Sequence, residues 1–564
     1  MSIIDWVLLC GFLVFVAAYG TWKTRKTKDI DGYIRAGRST PWYVVALSIM
    51  ATQASAITFI STPGQAFVDG MRFVQFYLGL PIAMIILSIT AVPIYHKLNV
   101  YTAYEYLEKR FDLKNRLLGT ILFLTQRGLA AGFTIFAPAI ILSVILGWNI
   151  NIAIFVMGGL VIIYTTVGGS VAVNKTHIQQ MIIITAGMFA AFIMIFYLLP
   201  PDISFIDAVY IAGKTGKLNA IDFSFDLENR YTFWSGIIGG TFLMLSYFGT
   251  DQSQVQRYLG GSSITQSRLG LLTNGIVKIP MQFFILFTGA MVFVFFQFVT
   301  PPLFFNPVQE RNVKSGSYSE EYLNLEKQYD ELKKEKQIYL REMLSGIDNK
   351  NEVLINSLQK KIEDISNEEK KMKSEAISLI QKTNPGADAN DTNYIFLSFV
   401  INFLPAGLIG LVLAAIISAS MSSTSAELNA LASTTVIDIY KRLVKKDATD
   451  EQCVKVSKIA TIFWGLYAIV FALFANRLGT LIEAVNILGS LVYGTILGIF
   501  LVAFYLKKIK GTPTFIAALT AEIVVIYCFI FTEIPFLWFN LIGCILVIIL
   551  SFIFNYLLKK KLLR

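Results

Sequence analysis

Thirteen stretches of mainly apolar residues run along the chain, at 3–21, 42–67, 71–94, 117–146, 150–167, 178–199, 232–250, 270–299, 394–424, 455–475, 479–505, 513–532 and 535–557. Each has the length of a membrane-crossing helix, which needs about 20 such residues. Hydrocarbon admits only segments that satisfy their own backbone groups. The chain is therefore read as an all-α polytopic membrane protein with thirteen transmembrane helices. Composition supports this reading. Of 564 residues, 55% are hydrophobic and 15% charged, whereas a soluble domain carries about 25% charge. So apolar a chain is neither disordered nor a string of soluble domains. The start, Met1-Ser2-Ile3-Ile4-Asp5, lacks the basic region of a cleaved signal peptide, so the first apolar run is read as a retained helix.

Basic residues collect on the cytoplasmic side of membrane proteins. Lys23, Arg25, Lys26, Lys28, Arg35 and Arg38 follow the first helix, which places the N-terminus outside. An odd number of crossings puts the basic tail, Lys559-Lys560-Lys561 to Arg564, in the cytoplasm. The loops holding Lys97–Arg116, Arg257–Arg268, Lys441–Lys446 and Lys507–Lys510 fall on the same side. The net charge of +10 is thus explained by loops, with no nucleic acid as partner. Cys10, Cys453, Cys528 and Cys544 form no Cys-x-x-Cys pair and are read as packing residues.

Residues 309–383 interrupt the apolar pattern with 14 Lys/Arg and 15 Asp/Glu. Leu325, Tyr329, Leu332, Tyr339 and Met343 keep a period near 3.5, as do Ile355, Leu358, Ile362, Ile365 and Met372. Ser345–Asn349 reads as a turn between the two runs. The expectation is an antiparallel helical hairpin outside the membrane, with an unknown docking partner.

Two crossings carry signs of breakage. The second reads Ala51-Thr52-Gln53-Ala54-Ser55-Ala56-Ile57-Thr58, with Pro63-Gly64 beyond; the seventh carries Gly239-Gly240 and then Gly249-Thr250-Asp251-Gln252. Transporters use broken helices at corresponding places in two inverted halves to bind ions and solutes. With the first helix set aside, these two open halves of five helices each, 42–199 and 232–505. The ninth crossing ends Ala419-Ser420-Met421-Ser422-Ser423-Thr424-Ser425-Ala426-Glu427. Hydroxyls serve close packing between helices; beside a broken partner they also suit an alkali cation, without burying a net negative charge.

These residues resemble the sodium:solute symporter family. The resemblance rests on Tyr33…Gly37-Arg38, the Ala51–Phe59 segment with Pro63-Gly64, Thr102-x-Tyr104-Glu105-Tyr106-Leu107-x-x-Arg110-Phe111, Gly168-Gly169, Asp251-Gln252-x-x-Val255-Gln256-Arg257 and Asp438-Ile439-Tyr440. It implies a 5+5 inverted-repeat fold of the leucine-transporter type with one extra N-terminal helix (1–41), the insertion 309–383 within the second repeat, and two further helices (506–564). It also implies a sodium site formed by carbonyls of Ala51, Ala54 and Ala419 and hydroxyls of Ser422 and Ser423. Some relatives hold a further sodium through an Asp before Ile-Gln. Here that position is His177, and a serine of that site is replaced by Ala426, so one sodium per cycle is expected. His177 itself reads as a capping or loop residue.

By the same matching, solute positions fall on Thr58, Tyr77, Leu80, Asp251, Lys278 and Asn486, with Gln53 and Gln75 as further polar candidates. Tyr77, Leu80, Thr58 and Asp251 depart from the sugar-binding pattern. Asp251 and Lys278 either hold solute or pair with structural partners, including each other. The Glu105–Arg110 stretch reads as an interfacial fold element. The expected function is sodium-driven import of a small organic solute (a sugar, sugar acid, carboxylate or amino acid derivative) by alternating access, with no enzymatic step and no cofactor beyond Na+. The alternative is a transporter-like sensor signalling to a separate partner. The bacterial inner membrane is the expected location.

Overall fold

The computed structural model describes residues 1–24, 38–226, 228–475 and 480–562. Of the basic linker, Arg25, Lys26, Lys28 and Arg35 lie outside the described residues, as do Tyr33 and Gly37. The described residues are helical, with one isolated bridge between Thr40 and Gly261. Ten helices among them are long and apolar enough to cross a membrane, against the thirteen expected. The expected spans 42–67 and 232–250 are broken into shorter helices, and the apolar stretch of the first helix covers Ile3–Val16 among the described residues.

After the N-terminal helix α1 (Ile3–Thr24), the expected span 42–67 is two pieces, α2 (Trp42–Gln53) and α3 (Ala56–Asp69). Ala54 closes α2 with ψ 71°, outside helical space. The chain then passes through a 3-10 turn (Gly70–Tyr77) into α4 (Leu80–Ile89). Two long helices follow, α5 (Leu113–Leu146) and α6 (Ile150–Tyr197); α6 contains two span-length apolar stretches, Ile150–Val167 and His177–Tyr197.

The seventh expected span starts as a π-turn at Ser235–Gly239, continues as α7 (Gly240–Gly249) and breaks at Thr250-Asp251 before α8 (Gln252–Leu259). Asp251 caps α8, its Oδ1 accepting from the Ser253 N–H at 2.8 Å. A side chain oxygen on the first free amides is the usual reason a new helix starts. Helix α9 (Ile264–Phe298) lies across both broken helices. A Cβ on its Gly289 would stand 2.2 Å from the Pro63 carbonyl oxygen, so only glycine admits this approach to α3.

The charged insertion forms two long helices, α10 (Ser319–Asp348) and α11 (Glu352–Thr383), packed on each other. The seam departs from the expected period: Lys333, not Leu332, takes the buried position. The span expected at 394–424 is also two elements. The short α12 (Thr392–Phe403) stops before Pro405, and Gly407, with φ +87°, opens α13 (Leu408–Thr434). Proline lacks the donor a continuing helix needs, and glycine alone tolerates that φ freely. Ala419–Glu427 therefore lie within α13, not at the end of a crossing. Four helices follow: α14 (Asp450–Ala472), α15 (Leu481–Tyr505), α16 (Gly511–Phe531) and α17 (Phe536–Leu562).

Candidate functional site

The break between α2 and α3 leaves carbonyl groups without helical partners, as every helix end does. The Met50 oxygen takes the Ala54 N–H at 2.8 Å, and the Gln53 oxygen takes the Thr58 hydroxyl at 3.1 Å. Ala51 and Ala54 are buried at 1% and 0% exposure. Helix α13 packs against both α2 and α3. On it, Ser423 Oγ donates to the carbonyls of Ala419 and Ser420, each at 3.1 Å. Ser422 Oγ is buried and has no hydrogen-bond partner among the described residues. An orphaned buried hydroxyl costs about 1–3 kcal/mol. A monovalent cation held by neutral oxygens would satisfy it; all five candidates offer neutral oxygens, from α2 and its break on one side and from α13 on the other. Of the other hydroxyls of the run, Ser420 Oγ reaches the Thr134 carbonyl on α5 at 2.6 Å and Ser425 Oγ the Ser422 carbonyl at 3.0 Å, while Thr424 Oγ1, like Ser422 Oγ, is buried with no hydrogen-bond partner among the described residues.

Next to Ser423 lies a cavity of about 100 Å³. Of the expected solute positions, Gln53, Thr58, Tyr77, Lys278 and Asn486 line it. Gln53 Nε2 has no hydrogen-bond partner among the described residues, and Asn486 Nδ2 is occupied by the Ile482 carbonyl at 2.7 Å. The Lys278 ammonium sits 5.8 Å from the centre of the Tyr77 ring. Lys278 is 1% exposed and, among the described residues, forms no ion pair. A lone charge in such a place marks a functional position in a membrane protein.

Three expected positions fall elsewhere. Gln75 is a staple: its amide donates to the Tyr231 carbonyl at 2.8 Å and accepts from the Asp222 N–H at 2.9 Å. Leu80 is buried at the start of α4, away from the cavity. Asp251 stands behind the cavity wall and pairs not with Lys278 but with Arg127.

Arg127 was not singled out from the sequence, although an arginine inside the apolar 117–146 stretch is the kind of residue that signals a partner. Its Nε donates to Asp251 at 3.1 Å and its Nη1 to Glu427 at 3.0 Å. Tyr493 Oη donates to the same Asp251 oxygen at 2.7 Å, and Thr134 to Glu427 at 2.9 Å. The cluster joins α5, α8, α13 and α15. Arg127, Glu427, Thr134 and Tyr493 also line the cavity. Two carboxylates face one guanidinium, and Lys278 nearby brings the formal charge of the set to zero.

The other motifs are architectural. Glu105 Oε1 accepts from the amides of Tyr101 and Thr102 at 2.7 and 3.1 Å, and Arg110 donates to the carbonyls of Ala503, Leu506 and Ile509. Asp438 accepts from Thr102 at 2.9 Å and from Arg116 at 2.7 Å. His177 is not a capping or loop residue: it is fully buried within α6, with Nδ1 3.1 Å from Ser48 Oγ on α2.

A broken helix meeting a hydroxyl-rich one beside a cavity of mixed polar and apolar lining is the arrangement of a membrane carrier. The sequence pattern of the sodium:solute symporter family matches residues 33–312 and 373–521, and the chain belongs to that family. It is 24% identical over 565 residues to the sodium/sialic acid symporter NanT of Aliivibrio fischeri, spanning 99% of this chain and 94% of that protein. It is 36% identical over 276 residues to human sodium-coupled monocarboxylate transporter 1, spanning 48% of this chain and 44% of that one. Its fold matches the substrate-bound outward-open structure of a Na+-coupled sialic acid symporter with a TM-score of 0.74, at 22% identity and covering 99% and 98% of the two chains. The protein is thus an integral membrane symporter and not an enzyme, with Na+ as its coupling ion and a small-molecule solute as its cargo. The sensor alternative finds no support among these relatives.

Proposed function

We propose that the protein imports a small organic anion bearing a carboxylate, coupled to sodium. The observation that carries this reading is Lys278: a buried ammonium on the cavity wall that forms no ion pair among the described residues, while the neighbouring Arg127 holds both Asp251 and Glu427. A carboxylate docked on Lys278 gains a charge-assisted hydrogen bond, with Gln53 Nε2 and Thr58 as adjacent polar groups. The Tyr77 and Phe76 rings supply an apolar wall. The named activities of the relatives, sialic acid and monocarboxylate transport, share this carboxylate chemistry.

Sodium held by Ala51, Ala54, Ala419, Ser422 and Ser423 would tie α2 to α13 and order one wall of the solute cavity. Solute would raise sodium affinity by the factor by which sodium raises solute affinity. The remaining architecture belongs to this reading: thirteen crossings in a 5+5 inverted repeat, with broken spans counted as crossings, the insertion and N-terminus outside, the C-terminus cytoplasmic, and a bacterial inner membrane as the location.

Uptake of labelled pyruvate and sialic acid into proteoliposomes, with and without an inward sodium gradient, tests the proposal. Sodium-dependent uptake is expected for at least one of them, with KM raised about tenfold or more in Lys278→Met. Sodium-driven uptake of neutral solutes alone, unaffected by Lys278→Met, overturns it.

A further inference from the structure

The family match leaves residues 313–372 uncovered, and that segment builds most of α10 and α11. A two-helix seam is ordinarily apolar. Tyr322, Leu325 and Tyr329 are buried at one end of the α10 seam, and Leu340 and Met343 at the other. Between them the buried residues are Lys333, 4% exposed, and Lys336, 2% exposed. Both ammonium groups reach a single carboxylate, Glu369 on α11, at 2.9 and 2.8 Å. Among the described residues one carboxylate thus serves two buried ammonium groups, an excess of positive charge in this layer, and buried charge is costly unless paired.

This layer opens on a cavity of about 510 Å³ between the insertion and the membrane body, distinct in its lining from the cavity at Lys278. Six lysines line it: Lys214, Lys217, Lys333, Lys336, Lys370 and Lys373. The acids are Glu363 and Glu369, with Asp391 behind, paired to Lys373 at 2.7 Å. The Lys217 ammonium donates to the Val68 carbonyl at 2.5 Å and stands 4.5 Å from the Phe293 ring centre. Burial, opposed by Asp69 at Lys217 and by Glu369 at Lys333 and reinforced by neighbouring lysines, pushes Lys217 and Lys333 each down to about 8. Phe67, Phe305 and Tyr329 face the same space. Excess ammonium on one wall and aromatic carbon on another suit an anion with an organic body.

We propose that the cavity between the α10–α11 insertion and the membrane body is a second binding site for a small carboxylate-bearing organic anion, held by Lys217, Lys333, Lys336 and Lys370. Only the choice of carboxylate as ligand class rests on the reading of the central cavity; the site itself rests on the lysine layer.

The test uses full-length protein in nanodiscs, in potassium buffer without sodium, with pyruvate and sialic acid as probes. The readout is the rate at which Lys217 is acetylated at pH 8, followed by mass spectrometry. A bound anion favours the charged amine; raising its pKa by about one unit cuts the reactive fraction at pH 8 about fivefold. Slower acetylation is expected with at least one probe relative to potassium chloride of equal ionic strength, and equally in Lys278→Met. The protection is expected to vanish in Lys333→Met and in Lys370→Gln. Lys333→Met keeps the Lys336–Glu369 pair and places an apolar side chain in the seam, so it should fold. Rates equal in both probes and chloride overturn the proposal, as does protection lost in Lys278→Met or retained in Lys333→Met. Protection that persists while neither probe is transported keeps this site and removes the carboxylate reading of the central cavity.

Discussion

The Arg127 guanidinium on α5 donates to the Glu427 carboxylate on α13 at 3.0 Å while its other edge holds Asp251 at the head of α8. One arginine therefore ties a continuous helix to a broken one beneath the solute cavity. Arg127→Met leaves two buried carboxylates without their cation, and breaking such a pair costs about 3–5 kcal/mol. Glu427→Gln, which leaves Arg127 paired with Asp251, is expected to cost less. Thermal unfolding of the purified variants checks the order; a Glu427→Gln variant less stable than Arg127→Met contradicts it.

Ser422 and Ser423 separate a sodium role from packing. Each truncation to alanine removes one hydroxyl, worth about 1 kcal/mol in an ordinary hydrogen bond. Ser423→Ala and Ser422→Ala are each expected to raise the apparent sodium constant of uptake roughly five- to tenfold, with folding retained. An unchanged sodium dependence in both variants removes these residues from the sodium site.

Gly289 meets the Pro63 carbonyl where a Cβ would stand at 2.2 Å. Close approach through small residues is what lets membrane helices pack. Gly289→Ala is expected to force α9 away from α3, costing roughly 1–3 kcal/mol by overpacking. The measurement is thermal stability beside Gly159→Ala, a position where a Cβ meets nothing within 4 Å. Equal stability of the two variants contradicts the close approach.

Anion binding at the insertion should weaken as pH rises. Lys217 and Lys333 lose their charge near 8, and Lys214, Lys336, Lys370, Lys373, Arg72, Glu363, Glu369, Asp69, Asp222, Asp391 and Tyr329 are other charged or titratable groups facing or adjoining the cavity. A bound anion raises the lysine pKa values, so binding takes up protons and affinity falls through pH 8. Binding of labelled pyruvate or sialic acid to Lys278→Met between pH 6.5 and 9.5 checks this; affinity constant over that range contradicts it.

The membrane character of this chain, its broken helices and its hydroxyl-rich segment were legible in the sequence because each is local. Apolar run length, Ala54-Ser55, Gly249-Thr250-Asp251 and Ser420–Ser425 declare themselves within a few residues. Thr58, Tyr77, Lys278 and Asn486, positions implied by the family resemblance, line the cavity, as does the further polar candidate Gln53. What only the tertiary structure decided were the partners of charges. Asp251 chose Arg127, 124 positions away, and Lys278 forms no ion pair among the described residues; Gln75 became a loop staple; His177 turned inward to Ser48. In the insertion, a one-residue shift put Lys333 in the seam where Leu332 fits the apolar pattern. A helix side chain's direction follows from its own position, but the charge it meets belongs to another helix, and only packing brings the two together.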